Sequence, residues 1–322
     1  MTQKYWEQEP TSFQEIVEIV ERFVRAEIIR ETREKRLYYH NIDHALGVKR
    51  RAEFIFEAIE PVLSKDTSLP ELMRLASLIS VCSLAHDMVQ VFEPTSPKQS
   101  RKRCSGHSEA ETANKLLTYI RDLNRALTAA EVDPSLLFSD REQLIIKDSI
   151  LATVCILDPE EKTDTDFAFS SYSIYQPYLY DSQTKISLVG SIIALADLGT
   201  LGIDGVEAYV NDGISIFLED NPHLATLGLQ CNPANCSQDN VSKAKLLAMT
   251  RFIVDLAYER KARFEREIAG FEPQIRQILR TQVFVHLNQE SIDRVKAIVP
   301  NEPSTSFNEL INFFCSNTVS VF

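Results

Sequence analysis

Of the six histidines in the chain, His40, His44, His86 and His107 fall within its first third. His40 and His44 are four residues apart, a separation that sets two side chains on one face of a helix. Alone, such a pair is no more than a helical turn. His86 is followed directly by Asp87 in an otherwise apolar stretch, and no lysine or arginine occurs between Leu75 and Pro97. Asp197 likewise follows the apolar run Ile192-Ile193-Ala194-Leu195-Ala196. A carboxylate buried without a partner costs several kcal/mol or is driven to protonate. Both aspartates therefore need a cation that their own segments do not supply, either a metal ion or an arginine from elsewhere. Two imidazoles with two carboxylates make a nitrogen and oxygen donor set suited to Mn, Mg, Ni, Fe or Zn rather than to a thiolate zinc site. Four protein ligands also leave positions open on a six-coordinate ion for a water and a phosphoryl oxygen.

The elements that must carry these residues read as helices. The chain has 322 residues and only 9 glycines, so tight turns are few and long helices are favoured. Pro10-Thr11-Ser12 opens a first helix, in which Phe13, Ile16, Val17, Ile19, Val20, Phe23, Val24 and Ile28 recur at helical spacing, and the polar run 30–36 closes it. Asn41 caps a second helix, with Asp43 in its first turn, that runs to about Glu60 before Pro61. Residues 72–91 form a third helix, apolar nearly all round and hence central. Further helices are predicted at about 108–127, 140–157, 185–201, 205–218 and 242–269, with two or three shorter ones beyond. Segments 158–183 and 221–240 read as loops. The first carries Tyr172, Tyr175, Tyr178 and Tyr180, which suit an ordered lid or wall. The sequence holds no glycine-rich phosphate loop, no strand–helix alternation and no Gly-x-Ser-x-Gly elbow. An all-α fold follows.

In chain order, His44, His86-Asp87 and Asp197 resemble the ligand series of the HD superfamily of metal-dependent phosphohydrolases. The stretch YHNIDHALGV also resembles the YHNxxHA signature of cyclic-nucleotide phosphodiesterases, which share that helical fold. GHSEAETANKL and ALADLGTLG lie where related families carry their next histidine or acidic group and their last metal aspartate. The resemblance covers about residues 34–220. It implies an HD-domain helical bundle over 34–220, an N-terminal helix in 1–33 packed on the core, and a helical C-terminal extension, 221–322, packed on the same domain. It further implies that His44, His86, Asp87 and Asp197 hold one divalent metal ion, and that His40 protonates the leaving oxygen while Asp87 or Asp197 positions the attacking water. His107 matches a histidine near the substrate or a second metal, and Glu109 is the alternative there. Gln90 stands close to where the phosphodiesterases place a second histidine after His-Asp, and Cys155 and Ile156 occupy another histidine's region. Both departures argue for one metal and against dinuclear oxygenase chemistry.

The function so implied is hydrolysis of a small phosphate ester, a nucleotide or a related monoester or diester. The other reading is a non-catalytic metal- or ligand-binding HD module with a regulatory role. Positive charge for the phosphate is expected from Arg36 and from Lys98, Arg101, Lys102 and Arg103 in the loop after the dyad, whereas Lys49, Arg50 and Arg51 read as a solvated helix face. A net charge of -12 excludes a broad surface for nucleic-acid polymers or anionic membranes. The apolar stretch 186–198 is too short and too interrupted to span a bilayer, and the N-terminus has no apolar signal core. Six cysteines at this length suit reduced thiols in a cytoplasmic protein, with Cys231 and Cys236 as half of a zinc site at most. His223 and His286 lack partners at ligand spacing. The apolar C-terminal residues Phe307, Leu310, Ile311, Phe313, Phe314, Val319, Val321 and Phe322 suit either docking on the domain or a homodimer contact.

Overall fold

The computed structural model describes residues 5–94, 96, 99–157, 174–180, 186–223 and 243–315. The expected loop residue Tyr172, Lys98 and the Cys231–Cys236 pair lie outside them, as do Val319, Val321 and Phe322. The fold is all-α. Its helices are α1 (Phe13–Lys35), α2 (Ile42–Leu63), α3 (Leu69–Ala85), α4 (His107–Ala129), α5 (Asp140–Leu151), α6 (Leu188–Asp197), α7 (Thr200–Ile203), α8 (Val206–Asp220), α9 (Lys243–Glu267), α10 (Pro273–Ile278), α11 (Gln289–Ile298) and α12 (Phe307–Cys315). The sheet content of the described residues is one antiparallel ladder, β1 (Ile156–Leu157) with β2 (Ile174–Tyr175), in which Ile156 faces Tyr175.

Helix starts follow local capping chemistry. The Ser12 hydroxyl accepts from the Glu15 amide at 3.2 Å, and Asn41 Oδ1 accepts from the amides of Asp43 at 2.9 Å and His44 at 3.1 Å. Asn41 thus fixes the first turn of α2, and with it the position of His44. Ser68 and Glu71 form a capping box at α3, with Pro70 in its first turn. Helix ends depart from periodicity. Pro61 does not stop α2, which continues to Leu63: the proline removes one N–H, and the ladder resumes beyond it, with the Ser64 amide donating to the Glu60 carbonyl at 2.8 Å. Helix α3 stops at Ala85 rather than near Val91, since α4 takes up the amides beyond it: Val89 N–H donates to Thr112 Oγ1 at 3.0 Å and Val91 N–H to Ser108 Oγ at 2.9 Å. The His86-Asp87 dyad therefore sits on the turn that leaves α3.

Helix α3 is central as predicted, packing against α1, α2, α5 and α6. Its Leu78, Ile79, Val81, Cys82, Leu84 and Ala85 join a large apolar cluster with residues of α1, α2, α4, α5 and α6 and with Phe264, Phe271 and Phe284 from the C-terminal third. A second cluster joins Leu201 and α8 to α9, α11 and α12. It thus begins ahead of residue 220 and unites the end of the expected domain with the helices beyond. Leu310 and Phe314 of α12 are buried in it, so this helix docks on its own chain. No helix among the described residues is long and apolar enough to cross a membrane.

Candidate metal centre

Three places in the fold converge on one point. His44 comes from the first turn of α2, His86 and Asp87 from the turn after α3, and Asp197 from the last residue of α6. One ligand atom from each of the four lies within 4.8 Å of the others, a group that could hold a metal ion. His44 Nε2 is 3.3 Å from His86 Nε2 and 3.4 Å from Asp87 Oδ2. Asp197 Oδ1 is 3.5 Å from His86 Nε2 and 3.8 Å from His44 Nε2. Both histidines are buried, and the two aspartate side chains are mostly so.

The donor set fits a cation on its own chemistry. His86 Nδ1 lies 2.8 Å from the Ser83 carbonyl, which can only accept, so Nδ1 keeps its proton and Nε2 is the nitrogen turned to the cluster, to carry a second proton or meet an ion. A second imidazole nitrogen and two carboxylate oxygens face that nitrogen. Burial disfavours charge on His86, yet Asp87 and Asp197 overcome it and hold its pKa well above the usual histidine value. Burial likewise works against the Asp87 carboxylate, but His86 and His40 hold it well below the usual range. His44 behaves otherwise: burial and the neighbouring His86 push its pKa down. The electrostatics thus call for positive charge where the four ligand atoms meet, whether a proton or an ion.

Second contacts orient these ligands. Gln90 Nε2 donates to Asp87 Oδ1 at 3.2 Å, and Gln176 Nε2 to Asp197 Oδ2 at 3.0 Å. Arg51 Nε donates to the Ala196 carbonyl at 2.7 Å and its Nη1 pairs with Asp204 at 2.8 Å. The reading of Lys49, Arg50 and Arg51 as a solvated face is corrected for Arg51, whose side chain is 4% exposed against 63% for Arg50, and for Lys49, which is mostly buried and pairs with Glu21 at 2.6 Å. Helical periodicity places Arg51 one residue past Arg50 and so turns it inward, where the carbonyl end of α6 and Asp204 receive it.

His40 stands beside the cluster. Its Nε2 is 3.6 Å from Asp87 Oδ2, and its Nδ1 is 2.5 Å from Glu219 Oε1. The other Glu219 oxygen accepts the backbone N–H groups of Tyr38, Tyr39 and His40 at 3.0, 2.8 and 2.9 Å. Burial raises a carboxyl pKa, but His40 and Arg103 hold that of Glu219 down at about 2. Arg103 pairs with Glu219 at 2.5 Å and with Asp220 at 2.6 Å.

The remaining expected site residues are spread out. Glu109 feels the cluster, as burial and then the charge of Asp87 raise its pKa, whereas His107 is exposed at the start of α4. The Arg101 guanidinium donates to the carbonyls of Lys35 and Arg36 and lies 4.8 Å from the Phe92 ring. Arg36 and Lys102 are exposed. Sequence reasoning missed Glu219 and Gln176, and no motif marked either one. The signal within reach was Glu219 at the end of the largely apolar stretch Ile214–Leu218, an unpartnered carboxylate of the same kind as Asp87 and Asp197. Comparison of the chain with protein-family models, with curated proteins and with solved structures gives no match.

Proposed function

We propose that the chain is a metal-dependent phosphohydrolase acting on a small phosphorylated substrate, with one divalent ion among His44, His86, Asp87 and Asp197. The observation that carries this reading is the position of His40, at the edge of the four-ligand cluster yet paired through its other nitrogen to Glu219. A bound divalent ion would supply a nucleophilic water near neutral pH and polarise a phosphoryl oxygen.

The chain's own residues supply the rest. Glu219 keeps the Nδ1 proton of His40 and orients Nε2 toward Asp87. Burial disfavours the imidazolium, but Glu219 and Asp87 raise the His40 pKa above its ordinary value. His40 Nε2 therefore holds a proton to give to a leaving alkoxide, an assistance worth roughly 10²–10⁴-fold. Gln90 and Gln176 each hold the far oxygen of a ligand aspartate and limit its rotation. The free thiols of Cys82, Cys104 and Cys155 support a reducing, cytoplasmic setting.

The test is hydrolysis of an aryl phosphate monoester and the matching diester by protein loaded separately with Mn, Mg, Ni or Zn. Turnover that vanishes in Asp87→Ala supports the phosphohydrolase and identifies the ester class. A second reading, a non-catalytic metal-binding module, draws on the basic side chains near the site. Arg103 is committed to Glu219 and Asp220, and Arg101 to backbone carbonyls, which leaves less charge for a phosphate. Ion binding without turnover of either ester favours that module.

A further inference from the structure

Gln176 is fully buried, at 0% exposure, on the segment that follows β2. Its amide nitrogen donates to Asp197 Oδ2 at 3.0 Å, the oxygen opposite the one that faces the histidines. That contact decides the orientation of the amide, because the reverse would set a carbonyl oxygen against a carboxylate. The carbonyl half is thereby left over, and Gln176 Oε1 meets no donor among the described residues. A buried amide carbonyl with no donor is uncommon in native structures and calls for an explanation. The β1–β2 register pairs Ile156 with Tyr175, the chain neighbours of Cys155 and Gln176. The Cys155 thiol in turn feels burial first and then Asp197, Glu109 and Asp87. The neighbourhood of Gln176 is thus the rim of the four-ligand cluster.

Resting on the metal-site reading above, we propose that Gln176 is a positioning residue of the centre: one end fixes Asp197, and Oε1 accepts a hydrogen bond from a water in the shell of the bound ion. An ion's water is a strong donor, and a fixed neutral acceptor beside it completes the pairing that the protein leaves open. The segment that carries Gln176 is anchored from the far side. Tyr180 Oη donates to Glu267 Oε1 at 2.9 Å, and the Arg263 guanidinium lies 5.1 Å from the Tyr175 ring centroid. Helix α9 therefore holds Gln176 in place.

The experiment is a titration of the full-length, metal-stripped protein with Co(II) alone, followed by its visible absorption. It compares the wild type, Gln176→Met and Gln176→Glu, and each metal-free protein is also melted. The Met variant keeps the length of the side chain but neither polar end, and is expected to bind Co(II) roughly 10–100-fold more weakly. Gln176→Glu sets a carboxylate beside Asp197, a repulsion that the ion relieves, and is expected to bind more tightly than wild type. Equal affinity in all three proteins overturns the proposal, as does a fall in melting temperature with affinity unchanged. If Gln176→Met does not fold, the Glu variant decides, and unchanged affinity there overturns the proposal too. A wild type that binds no Co(II) overturns the metal centre itself, a result separate from an equally tight Met variant.

Discussion

Glu219 grips His40 at two points with one carboxylate: Oε1 meets the ring Nδ1 at 2.5 Å, and Oε2 accepts the His40 backbone N–H at 2.9 Å. The pair joins the segment just ahead of α2 to the end of α8, 179 positions apart in the chain. It sets both the direction and the proton affinity of the ring.

Its consequences for pH have opposite signs for the two partners. Despite burial, Glu219 and Asp87 raise the folded-state pKa of His40, so its stabilisation is complete below the unfolded value of about 6.5 and is lost as pH rises through the folded value. Glu219 is depressed to about 2, so its stabilisation is present above the unfolded value and is lost as pH falls through about 2. Glu219→Gln should lower the His40 pKa, visible in the NMR titration of its ring protons, and shift the alkaline limb of any activity to lower pH. It should also cost about 3 kcal/mol near pH 6. An unmoved His40 titration would show that Glu219 does not govern the ring.

Arg50 and Arg51 provide a contrast in stability. Both reach Asp204 at 2.8 Å, but only Arg51 is buried and also holds the Ala196 carbonyl beside Asp197. Arg50→Ala should change unfolding free energy by less than about 1 kcal/mol, as an exposed ion pair does. Arg51→Met should cost roughly 2–3 kcal/mol, since it leaves the buried Ala196 carbonyl to the Gly199 amide at 3.2 Å and weakens the pairing of Asp204. Urea denaturation of the two variants measures the difference, and equal losses would contradict it.

The four-residue cluster and the central helix were legible because each depends on local pattern. Asn41 announces a helix start, and Asp87 and Asp197 stand out against apolar neighbours. Glu219 and Gln176 were hidden because their roles come from partners 179 and 21 residues away. Arg51 was misread because its neighbours Lys49 and Arg50 suggest a solvated face, while helical rotation turns it inward. The early end of α3 was also hidden, as it depends on Thr112 and Ser108 of α4 taking the amides that continued helix would have used.

Ion binding should register as stability. A ligand that binds the folded state alone adds about 2.7 kcal/mol at a hundred times its Kd. Manganese or nickel should therefore raise the melting temperature of the wild type by several degrees and leave Asp87→Ala unmoved. A rise of equal size in the variant would place the ion elsewhere.

The most direct test measures bound ion and turnover on the same dialysed samples of wild type, His40→Ala and Asp87→Ala. One equivalent of divalent ion is expected in wild type and in His40→Ala, and none in Asp87→Ala. Wild type should hydrolyse a phosphoester, with a loss of roughly 10²–10⁴-fold in His40→Ala and no turnover above background in Asp87→Ala. Full turnover in His40→Ala, or an ion retained without Asp87, would contradict this mechanism.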